Sequence, residues 1–135
     1  MPQGPGRRSC AVKVYFRREI FLMNSELLYV FGTGNATVTN LYNTCFALRD
    51  GDEYFMVDAG GGNGILKILD NMQVPIEHIH HIFVTHAHTD HVLGIVWMVR
   101  MIATKMKKDQ YIGDAYIYCH AELIETIRTL CRLTI

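Results

Sequence analysis

Apolar positions along this chain recur with two different periods, and the switches between them outline its elements. Leu27 to Phe31 (LLYVF) is a continuous apolar and aromatic run closed by Gly32 and Gly34, which predicts a strand. Thr44 to Arg49 and Glu53 to Asp58 flank Asp50-Gly51-Asp52, and an Asp-Gly between two apolar runs predicts a β-hairpin. After the glycines of residues 60–64 the period lengthens. Ile65, Leu66, Leu69 and Met72 recur at helical spacing before Pro75. Ile79 to Thr85 returns to strand character through its β-branched and aromatic residues. From His91 to about Lys108, the residues Val92, Ile95, Val96, Val99, Ile102, Ala103 and Met106 form one stripe of a helix with a basic end. Ala115 to Cys119 reads as a buried strand. Ala121 to Arg132 reads as a helix with Leu123, Ile124, Ile127, Leu130 and Cys131 inward. Strands alternating with helices after an opening hairpin imply a layered α/β architecture.

Composition narrows this picture. The chain has 135 residues, 50% of them hydrophobic and 19% charged, which suits a folded domain rather than a disordered tail. No apolar run approaches the roughly 18 to 20 residues of a membrane helix, so no membrane partner is expected. Thirteen basic residues balance thirteen acidic ones, which argues against the strongly basic face of a broad nucleic-acid footprint. The balance is uneven along the chain. Residues 1–22 hold Arg7, Arg8, Lys13, Arg17 and Arg18 against Glu19, a segment of +4 that leaves −4 for the remainder. The basic residues interrupt any secretory apolar core, and Met23 opens MNSELLYVF like a natural start. Residues 1–22 are therefore expected to be an extension and residues 23–135 the folded unit. Cys10, Cys45, Cys119 and Cys131 form no CxxC pair and no zinc-finger spacing. Three of them sit among apolar neighbours, as expected of free thiols in a reducing cytoplasm.

The candidate chemistry lies in Thr85-His86-Ala87-His88-Thr89-Asp90-His91. Four metal-ligating side chains (His86, His88, Asp90 and His91) fall within six positions, after a predicted strand and before a predicted helix. A strand-to-helix turn can splay such side chains toward a common point, which a continuous strand or helix would not. Imidazole nitrogen and carboxylate oxygen suit Zn2+, with Mn2+ or Fe as further candidates. Asp90 adds a group able to bind metal or move protons. With seven His and seven Asp in 135 residues, HxHxDH arises by chance in roughly one such chain per thousand. The competing structural reading makes Asp90 the N-cap of the following helix, assisted by Thr89.

HxHxDH after an apolar strand resembles the signature of the metallo-β-lactamase-fold hydrolases, and EYFMVDAGGG, ending its strand at Asp58, resembles that family's first motif. The likeness runs from about Leu27 to Arg132. It implies that this chain forms the N-terminal ββα-type half of a four-layer αββα sandwich with a mixed sheet. In such a site His86 and His88 would hold a first metal, Asp90 and His91 a second, and Asp58 would orient them. Histidine at position 88, where diiron oxygen-reducing relatives carry glutamate, points to hydrolysis by a metal-bound hydroxide. GTGNATVTNLYNTCFAL further resembles the ribonuclease Z group, which implies phosphodiester substrates, transfer RNA among them. The group's Cys-Gly-Glu-Gly-Thr is replaced by Ala59 to Gly62, and its Pro-Thr-x-x-Arg by a stretch containing Asn40, Leu41, Tyr42 and Asn43. A thioesterase or other ester hydrolase is the alternative within the superfamily, and a homodimer is among the expected assemblies.

Other candidates carry less. Gly60 and Gly32 each fail to begin a G-x-G-x-x-G, and no phosphate loop exists. His78, His80 and His81 are expected to pack or face solvent, and His120 to mark a helix boundary. The resemblance also implies three later ligands, so these 135 residues are expected to supply four of seven, with an apolar face left open. That leaves two readings, the N-terminal half of a hydrolase or a noncatalytic metal-binding module paired with another chain.

Overall fold

In the computed structural model, which describes residues 26–135, the alternating stretches pair into one five-stranded mixed sheet. β1 (Leu27–Gly32), β2 (Cys45–Asp50) and β3 (Glu53–Val57) are antiparallel neighbours, and β4 (Ile79–Phe83) and β5 (Tyr116–Tyr118) follow in parallel. The expectations for residues 1–22, for Cys10 and for a start at Met23 lie outside the described residues. Asp50 still pairs with Glu53, so the hairpin loop proper is Gly51-Asp52, with Gly51 at φ +61° where a Cβ would be strained. Parallel neighbours need crossovers. α1 (Gly64–Asn71) supplies the first and α2 (Thr89–Met106) the second, and α3 (Ala121–Thr134) follows β5. Among the described residues, no helix is long and apolar enough to cross a membrane.

The helices cover one face of the sheet. Met56 and Ile82 from neighbouring strands, Ile65 and Leu69 of α1, and Ile95 and Met98 of α2 are fully buried there. Several expectations shift at the edges. Met72 lies just past α1 and is exposed, and α2 begins two residues earlier than its apolar stripe suggested. β5 is an exposed edge strand rather than a buried one, because among the described residues no strand pairs beyond it and one face is open: Tyr116 and Tyr118 are 49% and 40% exposed. In α3 only Leu123 and Ile127 are buried, while Ile124 faces solvent.

The other face of the sheet is apolar and open. Register places Leu28, Leu48, Phe55, His81 and Tyr116 in one row across the strands, and Val30, Phe46, Val57, Phe83 and Tyr118 in the next. None of the ten is buried. Their rings meet: His81 stacks on Phe55, Tyr116 and Tyr118, and its Nδ1 lies 2.8 Å from the Tyr118 hydroxyl.

One helix contact sets the depth of α2. Gly94 donates its N–H to Gly60 O at 2.8 Å, and a methyl at position 94 would overlap the carbonyl oxygen of Ala59. Gly94→Ala should therefore push α2 off the sheet and lower stability by at least about 2 kcal/mol, read from urea unfolding. A second expectation concerns alkaline pH. Burial pushes the Cys45 thiol from 9.0 up to about 12, and burial followed by nearby Glu53 and Asp114 pushes Tyr111 from 10.0 up to about 12. Both groups ionise more readily once unfolded, so the unfolded chain binds fewer protons and stability falls as pH rises from about 9 toward 12. Cys45→Ala should flatten the lower part of that decline in urea midpoints measured between about pH 7.5 and 11.

Candidate metal centre

The site is built around one carboxylate. Directly after β3 the chain turns at Asp58, whose φ of +56° is a left-handed value that Asp tolerates better than most residues. Its N–H donates to Phe83 O at 2.8 Å, fixing the turn against the end of β4. The side chain is thereby carried into the protein, where the residue is only 4% exposed. Oδ1 accepts the Thr85 N–H at 2.8 Å, and Oδ2 accepts the Thr85 hydroxyl and His91 Nδ1, each at 2.7 Å.

These bonds settle the histidine tautomers. An ionised carboxylate only accepts, so His91 donates through Nδ1. The single hydroxyl proton of Thr85 goes to Asp58, so its Oγ1 accepts from His86 Nδ1 at 2.8 Å. With Nδ1 engaged in both rings, Nε2 is the ring atom left for a metal to take.

The four expected ligands gather into two pairs. His86 Nε2 lies 3.1 Å from His88 Nδ1, and His91 Nε2 lies 3.3 Å from Asp90 Oδ2. The His86 ring centroid is 4.6 Å from that of His88 and 4.2 Å from that of His91. Two donors at about 2.0 to 2.2 Å from one zinc in tetrahedral array stand roughly 3 to 3.6 Å apart, so each pair has the spacing of two ligands sharing an ion. Among the described residues, no three His, Cys, Asp or Glu side chains form a common metal cluster. His86 and His88 lie in the exposed segment after β4, whereas Asp90 is buried in the first turn of α2. The N-cap of α2 is His88 rather than Asp90. Its carbonyl accepts from His91 and Val92 N–H, both at 3.0 Å, and its ring does not cap, which frees the carboxylate of Asp90.

The remaining histidines stay away from this centre. His78 and His80 bond the carbonyls of Asp52 and Asp114, and His120 is the N-cap of α3, accepting from Glu122 N–H at 3.3 Å. Cys45 is a buried free thiol, and Cys119 and Cys131 are partly buried free thiols. Sequence reasoning passed over Thr85, Tyr42 and Asn43. Tyr42 and Asn43 lie between β1 and β2 yet bond the loop that follows Asp58. Gly94, inside a helical stripe, was the one available signal, because an interior helix glycine usually has a packing reason.

A family model described as Anti-Pycsar protein Apyc1 matches residues 27–131. Ribonuclease Z of Phocaeicola vulgatus is 27% identical over 97 residues, covering 71% of this chain and 29% of that protein. Ribonuclease Z of Thermococcus sibiricus is 34% identical over 96 residues, covering 69% of this chain and 30% of its own length. Among solved structures, the short form of human tRNase Z superposes with a TM-score of 0.67 at 25% identity, over 79% of this chain and 39% of that one. The metallo-β-lactamase fold protein YhfI of Bacillus subtilis superposes with a TM-score of 0.62 at 22% identity, over 76% of this chain and 41% of that one. The chain thus has the metallo-β-lactamase fold and a ribonuclease Z-like relationship, and it spans about three tenths of the length of these curated relatives.

Removing the central carboxylate tests the network directly. Asp58→Ala would leave the Thr85 N–H and His91 Nδ1–H without an acceptor and should cost about 2 to 4 kcal/mol in urea unfolding. Thr85→Val, which removes one hydroxyl, should cost about 1 kcal/mol.

Proposed function

Since this chain belongs to the family described as Anti-Pycsar protein Apyc1, with a ribonuclease Z-like fold, we propose that it carries part of a two-metal phosphodiesterase site. The observation that carries the reading is the pair His91 Nε2 and Asp90 Oδ2. Asp58 engages Nδ1, so His91 Nε2 stands 3.3 Å from Asp90 Oδ2, a spacing that two ligands of one cation would have. His86 and His88 would hold a first ion and Asp90 and His91 a second. The donor set suits Zn2+, with Mn2+ or Fe as alternatives. When bound, such ions supply charge neutralisation at a phosphate and an activated water.

The chain's own residues would do the rest. Asp58 and Thr85 hold two rings with Nε2 outward, which fixes ligand direction before any ion arrives. Asp90, at the rim of the site, would also take or orient the proton of an attacking water. The first turn of α2 brings partial positive charge to the side on which an anionic ester would dock. Further donors would come from outside the described residues, either along a longer chain or from a partner chain, and the open apolar sheet face favours such a partner half. The ribonuclease Z relatives make a phosphodiester the favoured substrate class, with RNA one member of it.

The test is metal uptake followed by hydrolysis. The chain equilibrated with Zn2+ and dialysed should retain one ion per donor pair by elemental analysis. His88→Ala should lose the first and His91→Ala the second. Hydrolysis of bis(4-nitrophenyl) phosphate by the assembled site should fall by more than about a hundredfold in either variant. Zinc retention unchanged in both variants would refute the assignment. Turnover of a thioester with no phosphodiester cleavage would move the reading to the thioesterase class.

A further inference from the structure

The segment between β1 and β2 reaches across to the loop that follows Asp58 and clamps it from below. The Tyr42 hydroxyl lies 2.9 Å from Ala59 O and 2.8 Å from Gly62 O, and it accepts from Gly62 N–H at 3.4 Å. Burial raises the Tyr42 phenol, which keeps it a donor. A Cβ on Gly60 or Gly64 would run into the Tyr42 ring, so that loop lies flat against it. The neighbouring Asn43 accepts the Gly61 N–H through Oδ1 at 3.1 Å and ties its amide back to Asn35 O at 3.0 Å.

The far side of the clamped loop meets the first turns of α2. Ala59 N–H donates to His91 O at 3.4 Å, Gly60 O accepts from Gly94, and a Cβ on Gly61 would meet the Asp90 Cα at 3.5 Å. The loop is therefore a wedge between Tyr42-Asn43 and the Asp90-His91 pair. We propose that Tyr42 and Asn43 are positioning residues that set the His91 ring between the Asp58 and Asp90 carboxylates. This rests on the phosphodiesterase reading for its chemical purpose, while the positioning itself is readable with no metal present. The clamp acts on the Asp90-His91 pair and not on His86 and His88, which project from the segment after β4 and make no bond to it.

The experiment follows the His91 Nδ1 proton that Asp58 accepts, by NMR on the metal-free full chain, assigned by its loss in His91→Gln. Tyr42→Phe, which keeps the ring and removes the hydroxyl, and Asn43→Ala should each accelerate exchange of this proton roughly tenfold or more. Asn43→Asp keeps an acceptor for Gly61 and should stay within about twofold of the parent. Ile127→Val, a core change in α3 outside the clamp, controls for lost stability and should also stay within about twofold. Unchanged exchange in both Tyr42→Phe and Asn43→Ala would overturn the proposal, as would equal acceleration in Ile127→Val. With Zn2+ added, the two clamp variants should weaken the second ion about tenfold and leave the first in place. A parent chain that guards the proton but takes up no zinc refutes the metal reading and supports the clamp.

Discussion

A carboxylate that is 4% exposed must have its charge met by donors, because burying it alone would cost several kcal/mol. Asp58 meets that demand with three donors from two residues, Thr85 and His91, that lie far away in sequence. The requirement works in both directions. The donors make the buried charge tolerable, and the charge dictates where the donors stand. Because Thr85 precedes His86 and donates to the same oxygen as His91, one carboxylate orients two imidazoles. The two imidazoles are thus oriented by a network that needs no metal to form.

Backbone geometry around Asp58 serves the same end. The left-handed turn carries the side chain inward, and the chain then runs through residues 59–62 in direct contact with α2. Gly94 permits this approach, and the Gly60 carbonyl receives its N–H. The helix consequently begins at a fixed height above the sheet, with Asp90 and His91 in its first turn. Had α2 begun at His91, as its apolar stripe suggested, Asp90 would have been used as a cap. Placing His88 at the N-cap releases that carboxylate.

Much of this was legible in the residues, and for physical reasons. Apolar, β-branched and aromatic runs located the strands of the described residues, and the 3.6-residue period located their α-helices. The four candidate ligands stood out because metal chemistry confines such residues to few types at short spacing. What periodicity could not show was partnership across long sequence separation. Nothing in Tyr42 or Asn43 announces a bond to residues 59–62, because a polar residue in a loop looks the same whether it faces solvent or braces another loop. Thr85 stood inside the motif but carried no ligand atom, so its role emerged only when its hydroxyl was found between Asp58 and His86. The last strand also came out shorter, as β5 spans only Tyr116–Tyr118, where no other described strand pairs with its outer edge.

The open face of the sheet bears on how the site works. An antiparallel sheet with one solvated face alternates apolar and polar residues. Here the outward positions of β1 to β4 are Leu28, Val30, Phe46, Leu48, Phe55, Val57, His81 and Phe83, apolar in every case but one, although the helices cover only the opposite face. Such strands carry the composition of a sheet covered twice. The exception, His81, lies between Phe55 and Tyr116 with a tyrosine hydroxyl as the partner of its Nδ1, so one of its two ring nitrogens is already paired from within. The donor pairs lie at the end of β4, where this face meets the helical layer. A second layer laid over the apolar rows would wall the site on its open side and lower the dielectric around it. There the Asp90-His91 pair would hold a cation more tightly than it can when bathed in water.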